Sequence, residues 1–99
     1  MLVFLTVRKL KSGSFDDFRK AWEPRGELPP GFIRAYHARN VNDEDEVVSF
    51  GLAEVSLDDA RSWREGAEED EQQRQEAMDE FIESVGADGV FEVIDVYEP

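Results

Sequence analysis

Phe32-Ile-Arg-Ala-Tyr-His-Ala-Arg39 and Glu46-Val-Val-Ser-Phe-Gly-Leu-Ala-Glu-Val55 are two strand-like runs, separated by the polar segment Asn40-Val-Asn-Asp-Glu-Asp45. Their β-branched and aromatic content, with a polar break between them, predicts an antiparallel hairpin. In the second run Val48, Phe50 and Leu52 fall on one face and Ser49, Gly51 and Ala53 on the other. The second face is built of small residues, which lets a backbone or a ligand approach closely.

Outward from this hairpin the elements alternate. Leu2 to Arg8 is apolar on both faces until Thr6 and Arg8, as expected for a strand covered on both sides. Ser14 stands three residues before Asp17 as a helix cap, and Phe15, Phe18 and Trp22 then share one helical face. Pro24 to Gly31, with three prolines and two glycines, predicts a loop. After the hairpin, Ser56-Leu-Asp-Asp59 repeats the cap, Ala60 and Trp63 follow Leu57 at helical spacing, and Gly66 interrupts. A further helix is expected from Ala67, with Ala77, Met78, Phe81, Ile82 and Val85 as its apolar stripe and Gly86 as its end. Val90 to Tyr97 reads as the last strand.

The order strand, helix, strand, strand, helix pair, strand predicts one α+β domain over residues 1–99. Its type is ferredoxin-like βαββαβ, with an antiparallel sheet covered by helices on one face. Val3, Leu5 and Val7 then lie on a face that nothing in the chain covers. Exposed apolar sheets of that size are rare on monomers, so a homodimer is expected.

Composition narrows the partners. The chain has 99 residues, 24 acidic against 11 basic, for a net charge of −13. Such a charge repels phosphate backbones and anionic lipid, which excludes nucleic acid and membrane surfaces. The acidic excess fits a high-salt cytoplasm, where screening relieves self-repulsion, or an ordinary acidic protein. With no cysteine there is no thiol chemistry or disulfide, and the short apolar start lacks the form of a signal segment. The cytoplasm is the expected location.

Thr6-Val-Arg-Lys-Leu-Lys-Ser-Gly13 followed by Phe15-Asp-Asp-Phe18, then Pro30-Gly-Phe32, the acidic hairpin Asn42-Asp-Glu-Asp45 and Ser56-Leu-Asp-Asp-Ala-Arg-Ser-Trp63 resemble the antibiotic biosynthesis monooxygenase superfamily. The resemblance implies a dimeric α/β barrel with a pocket between each sheet and its helices. It also implies a choice of activities, among them cofactor-independent monooxygenation and haem degradation, so fold alone does not select one. In the haem-degrading branch the chemistry rests on an asparagine of the first strand, a tryptophan of the helix after the third strand and a histidine about ten residues beyond. The matching positions hold Thr6, Trp63 and Gln73. Glutamine is a very poor axial haem ligand, which argues against that chemistry. Many relatives carry a tryptophan near the end of the third strand, where this chain has Glu54.

The candidate site follows from these residues. His37, Trp63 and Thr6 are the candidate catalytic groups. Phe4, Phe18, Trp22, Arg34, Phe50, Met78 and Phe81 are the candidate pocket lining, suited to a flat aromatic or polyketide-like ligand. Against this stands the alternative that these aromatics simply form the core, since aromatics at helical spacing usually pack. His37 is the only histidine, and Tyr36 points to the opposite sheet face. No histidine-based metal cluster can therefore be built, and Glu65 to Glu71 lacks the ligand spacing of a calcium loop. No metal and no cofactor are expected. The leading expectation is a small-molecule-binding protein acting as a cofactor-independent monooxygenase. The alternative is a non-catalytic dimerisation or regulatory module with a filled core, and haem binding is a third reading.

Overall fold

The computed structural model describes residues 1–99. Its elements are β1 (Leu2–Leu10), α1 (Phe15–Trp22), β2 (Phe32–Asn40), β3 (Asp43–Ala53), α2 (Leu57–Gly66), α3 (Glu68–Asp79) and β4 (Ile82–Glu92). The four strands form one antiparallel sheet in the order β2-β3-β1-β4. This is the α+β ferredoxin-like arrangement, in which β1 and β3 occupy the centre and β2 and β4 the edges.

Pairing fixes which residues share a face. Leu2, Phe4, Thr6 and Arg8 of β1 stand opposite Ala53, Gly51, Ser49 and Val47 of β3. Ala35 and His37 of β2 stand opposite Gly51 and Ser49. These residues look toward the helices. The small-residue face of β3 is thus the inner one, where Phe32 lays its ring over Gly51; a Cβ added there would lie 3.4 Å from the ring. Val3, Leu5 and Val7, with Leu52, Phe50 and Val48 opposite them, look the other way.

The core sits at one end of the helix layer. Leu10, Phe18, Val47 and Met78 form it, all fully buried, with Phe15, Ala21, Trp22, Phe81 and Ile82 packed around them. Burying four such side chains contributes on the order of 2 kcal/mol each.

Three local expectations are corrected. The connection between β2 and β3 is two residues, Val41 and Asn42, because β3 begins at Asp43 and not Glu46. The Asn40 side chain accepts from the Asn42 N–H at 2.8 Å, and Asp43 pairs with Lys9 of β1, so the acidic residues serve as strand. Secondly, α3 stops at Asp79. Phe81, Ile82 and Val85 belong to the turn and β4, and Gly86 lies within the strand. The open edge of β1 decides this: Leu10 pairs with Ile82 and Leu2 with Glu92, and the Lys11 N–H donates to the Phe81 carbonyl at 2.9 Å. A short apolar run fits either period, and the ladder of hydrogen bonds selects the strand. Gly86 falls where the register slips between Thr6–Asp88 and Arg8–Val85, the position of a bulge. Thirdly, β4 ends at Glu92; after a bond from the Val93 N–H to the Met1 carbonyl, residues 94–99 leave the sheet.

The two caps also differ. The Ser56 hydroxyl accepts from the Asp59 N–H at 3.1 Å, whereas the Ser14 side chain makes no capping bond. No helix is long and apolar enough to cross a membrane.

Candidate functional site

A cavity of about 130 Å³ opens between the inner face of the sheet, the loop before β2 and the facing sides of α2 and α3. Phe4, Trp22, Phe32 and Trp63 supply aromatic wall, and Pro24, Leu28 and Pro29 close it from the loop. The loop is held by the Trp63 indole, whose Nε1 donates to the Glu27 carbonyl at 2.9 Å. Gly31 has φ of +72°, and a Cβ there would clash with the Glu54 carbonyl oxygen. Only glycine lets the loop turn into β2 this close to β3.

The polar lining is asymmetric. Its charged members are Arg8, Arg64, Arg74 and Glu71, three guanidiniums and one carboxylate in a chain of charge −13. Arg74 donates from Nη1 to the Trp22 carbonyl and from Nη2 to Glu71 Oε2, each at 2.8 Å, and lies over the Trp22 ring. Its Nε is buried without a partner. Arg8 is 6% exposed, stacks over the Phe18 ring at 5.2 Å, and leaves Nη1 buried without a partner. Burial lowers the Arg8 pKa; the like charge of Arg74 lowers it further, and Asp88 and Asp79 oppose both effects.

Of the candidate catalytic residues, Thr6 and Trp63 line this cavity. Thr6 Oγ1 donates to Asp88 Oδ1 at 2.9 Å. His37 is packed instead among Phe15, Phe18 and Trp22, with the Trp22 ring edge-on at 4.5 Å. Its Nδ1 lies 2.8 Å from Ser49 Oγ; His37 is thus not itself a lining residue but touches two that are, Ser49 and Trp22. Burial, with Arg19 and Arg8 adding, lowers the His37 pKa to about 4. The ring is neutral at pH 7 and a weak base.

The candidate lining divides in the same way. Phe4 and Trp22 face the cavity. Phe50 borders it, yet its ring stacks on Tyr36 across the opposite face at 5.0 Å. Phe18 and Met78 are core, and Phe81 packs against that core. Arg34 lies opposite Leu52 on the outer face, beside the Tyr36 hydroxyl. Gln73 is exposed on α3, and Glu54 is exposed beside the Met1 amino group. Arg8, Arg74 and Phe32 are lining residues that the sequence reading passed over. Arg8 carried a usable signal, being a charge at an inward position of an otherwise apolar strand.

No protein-family model matches the chain, and no curated protein matches it. Solved structures do. A protein of Nitrosomonas europaea provisionally assigned as an antibiotic biosynthesis monooxygenase superposes with a TM-score of 0.68 at 15% identity, over 96% of this chain and 100% of its own. Another with that provisional assignment, from Chloroflexus aurantiacus, gives 0.64 at 12% identity over 98% and 96%. A NIPSNAP family protein of Agrobacterium tumefaciens gives 0.63 at 20% identity over 97% and 88%. The chain therefore has the fold of the antibiotic biosynthesis monooxygenase superfamily.

Proposed function

We propose that the protein binds an aromatic small molecule in the cavity between its sheet and helices and works as a homodimer. The observation that carries this reading is the cavity itself, whose wall combines aromatic side chains with the guanidiniums of buried Arg8 and half-buried Arg74. A cavity near 150 Å³ holds one benzene ring, which sets the scale of the group enclosed. The homodimer rests on the outer sheet face, where Val3, Leu5, Val7, Val48, Phe50 and Leu52 lie side by side.

Oxygenation without a cofactor is the chemistry favoured by the provisional assignment of two structural neighbours as monooxygenases. In such a reaction the substrate supplies every electron: a ring CH2 and O2 become C=O and H2O, one oxygen atom going to each product. Binding without turnover is the second reading, and the position of His37 favours it. The chain's one histidine is outside the cavity and weakly basic, which leaves substrate deprotonation without an imidazole base.

Thermal shift with a panel of hydroxylated aromatics tests binding, since a ligand at a hundredfold its dissociation constant stabilises by about 2.7 kcal/mol. The expected result is a rise in Tm that disappears in Trp63→Ala. No rise with any member would leave the filled, non-catalytic module. Oxygen consumption with a bound phenol then separates turnover from binding alone.

A further inference from the structure

The cavity has a feature that an apolar pocket does not need. An unpartnered buried N–H is destabilising, and more so on a charged group. Here two such donors, Arg8 Nη1 and Arg74 Nε, belong to side chains that line one cavity. Arg8 is more than nine-tenths buried and has no carboxylate at ion-pair distance. Arg74 is partly neutralised by Glu71. Arg64 adds a third positive charge to the lining.

Resting on the reading of the cavity as a ligand site, we infer that the ligand is an anion: a single-ring aromatic carboxylate whose oxygens accept hydrogen bonds from Arg8 and Arg74 while the ring lies among Phe4, Trp22 and Trp63. A carboxylate offers two acceptor oxygens to guanidinium donors, and charge-assisted bonds are about twice as strong as neutral ones. It would set a negative charge against the two like charges of Arg8 and Arg74 and relieve the repulsion between them. The inference also accounts for the placement of positive charge in a chain whose surface is strongly acidic. Excess carboxylates outside and guanidiniums inside set a local sign opposite to the global one.

The test compares 4-hydroxybenzoate with 4-hydroxybenzamide by calorimetric titration at pH 7. The two probes share ring and size and differ in charge. The expected result is binding of the carboxylate about tenfold or more tighter than the amide. In Arg8→Met and in Arg74→Gln that preference falls below about threefold. Equal binding of the two probes by the wild type overturns the inference and leaves the cavity reading standing. Binding of neither overturns both. A carboxylate preference that persists in both variants places the anion elsewhere and also overturns it. The wild-type comparison needs no variant, so the inference stays falsifiable even where Arg8→Met fails to fold.

Discussion

His37 illustrates how one residue's surroundings decide its role. It is enclosed by three aromatic rings and bonded to Ser49, so its neutral form is the one that the fold accommodates. The pKa in the folded chain is about 4 against an ordinary 6.5. Above pH 6.5 both folded and unfolded chains hold the ring neutral and the group has no effect. As pH falls from 6.5 toward 4, the unfolded chain takes up a proton that the folded chain refuses, and stability drops by at most about 3 kcal/mol. Because the chain also carries 24 acidic residues, the measurement is a comparison with His37→Gln. Denaturant midpoints followed across the window are expected to fall less steeply in the variant; parallel curves would disprove the assignment. In the sequence, strand alternation put His37 and Tyr36 on opposite faces without deciding which of the two looked inward. Nor was it legible whether the inward one met cavity or core, because that depends on how far α1 reaches across the sheet.

At the scale of elements, local chemistry was readable where it is self-contained. The Ser56 cap, the loop of Pro24 to Gly31 and the alternation in β3 each follow from neighbouring residues, and each is present. The end of α3 was not readable, because Phe81, Ile82 and Val85 satisfy a helical stripe as well as a strand. The free edge of β1, more than seventy residues away in the chain, resolves the tie. The same dependence on a distant partner hid Arg8 and Arg74 as members of one site, since they come together only when α3 lies over β1.

Glycine gives the elements a sharp test. Gly31→Ala forces a Cβ onto the Glu54 carbonyl in a left-handed backbone, where Glu54 N–H also donates to the Gly31 carbonyl at 2.9 Å. The cost is expected to exceed about 2 kcal/mol in chemical denaturation. Gly66→Ala, at the end of α2 with nothing within 4 Å of the new methyl, is expected to stabilise by about 0.5–1 kcal/mol. A similar cost at both positions would contradict the close approach of loop and β3.

For the whole molecule, the two faces of the sheet have different fates. The inner face is divided between core and cavity. The outer face carries Val3, Leu5, Val7, Phe50 and Leu52, and beyond the last strand Ile94, Val96 and Tyr97 are 90%, 68% and 84% exposed. Apolar area of this kind is covered by a second copy in the proposed homodimer. Sedimentation at micromolar concentration is expected to return the mass of two chains. The association should strengthen from low salt to molar KCl, because each chain carries −13 and screening weakens their repulsion. A single-chain mass throughout would remove the dimer.

Trp22 and Trp63 are the only tryptophans of the chain, and both stand in the cavity wall. The protein's indole fluorescence therefore arises wholly at the site, with no background from elsewhere in the fold. A ring entering the cavity changes the environment of every emitter at once, so occupancy and exchange can be followed on unlabelled protein. Trp22, edge-on to His37, would report protonation of the imidazole in the same signal.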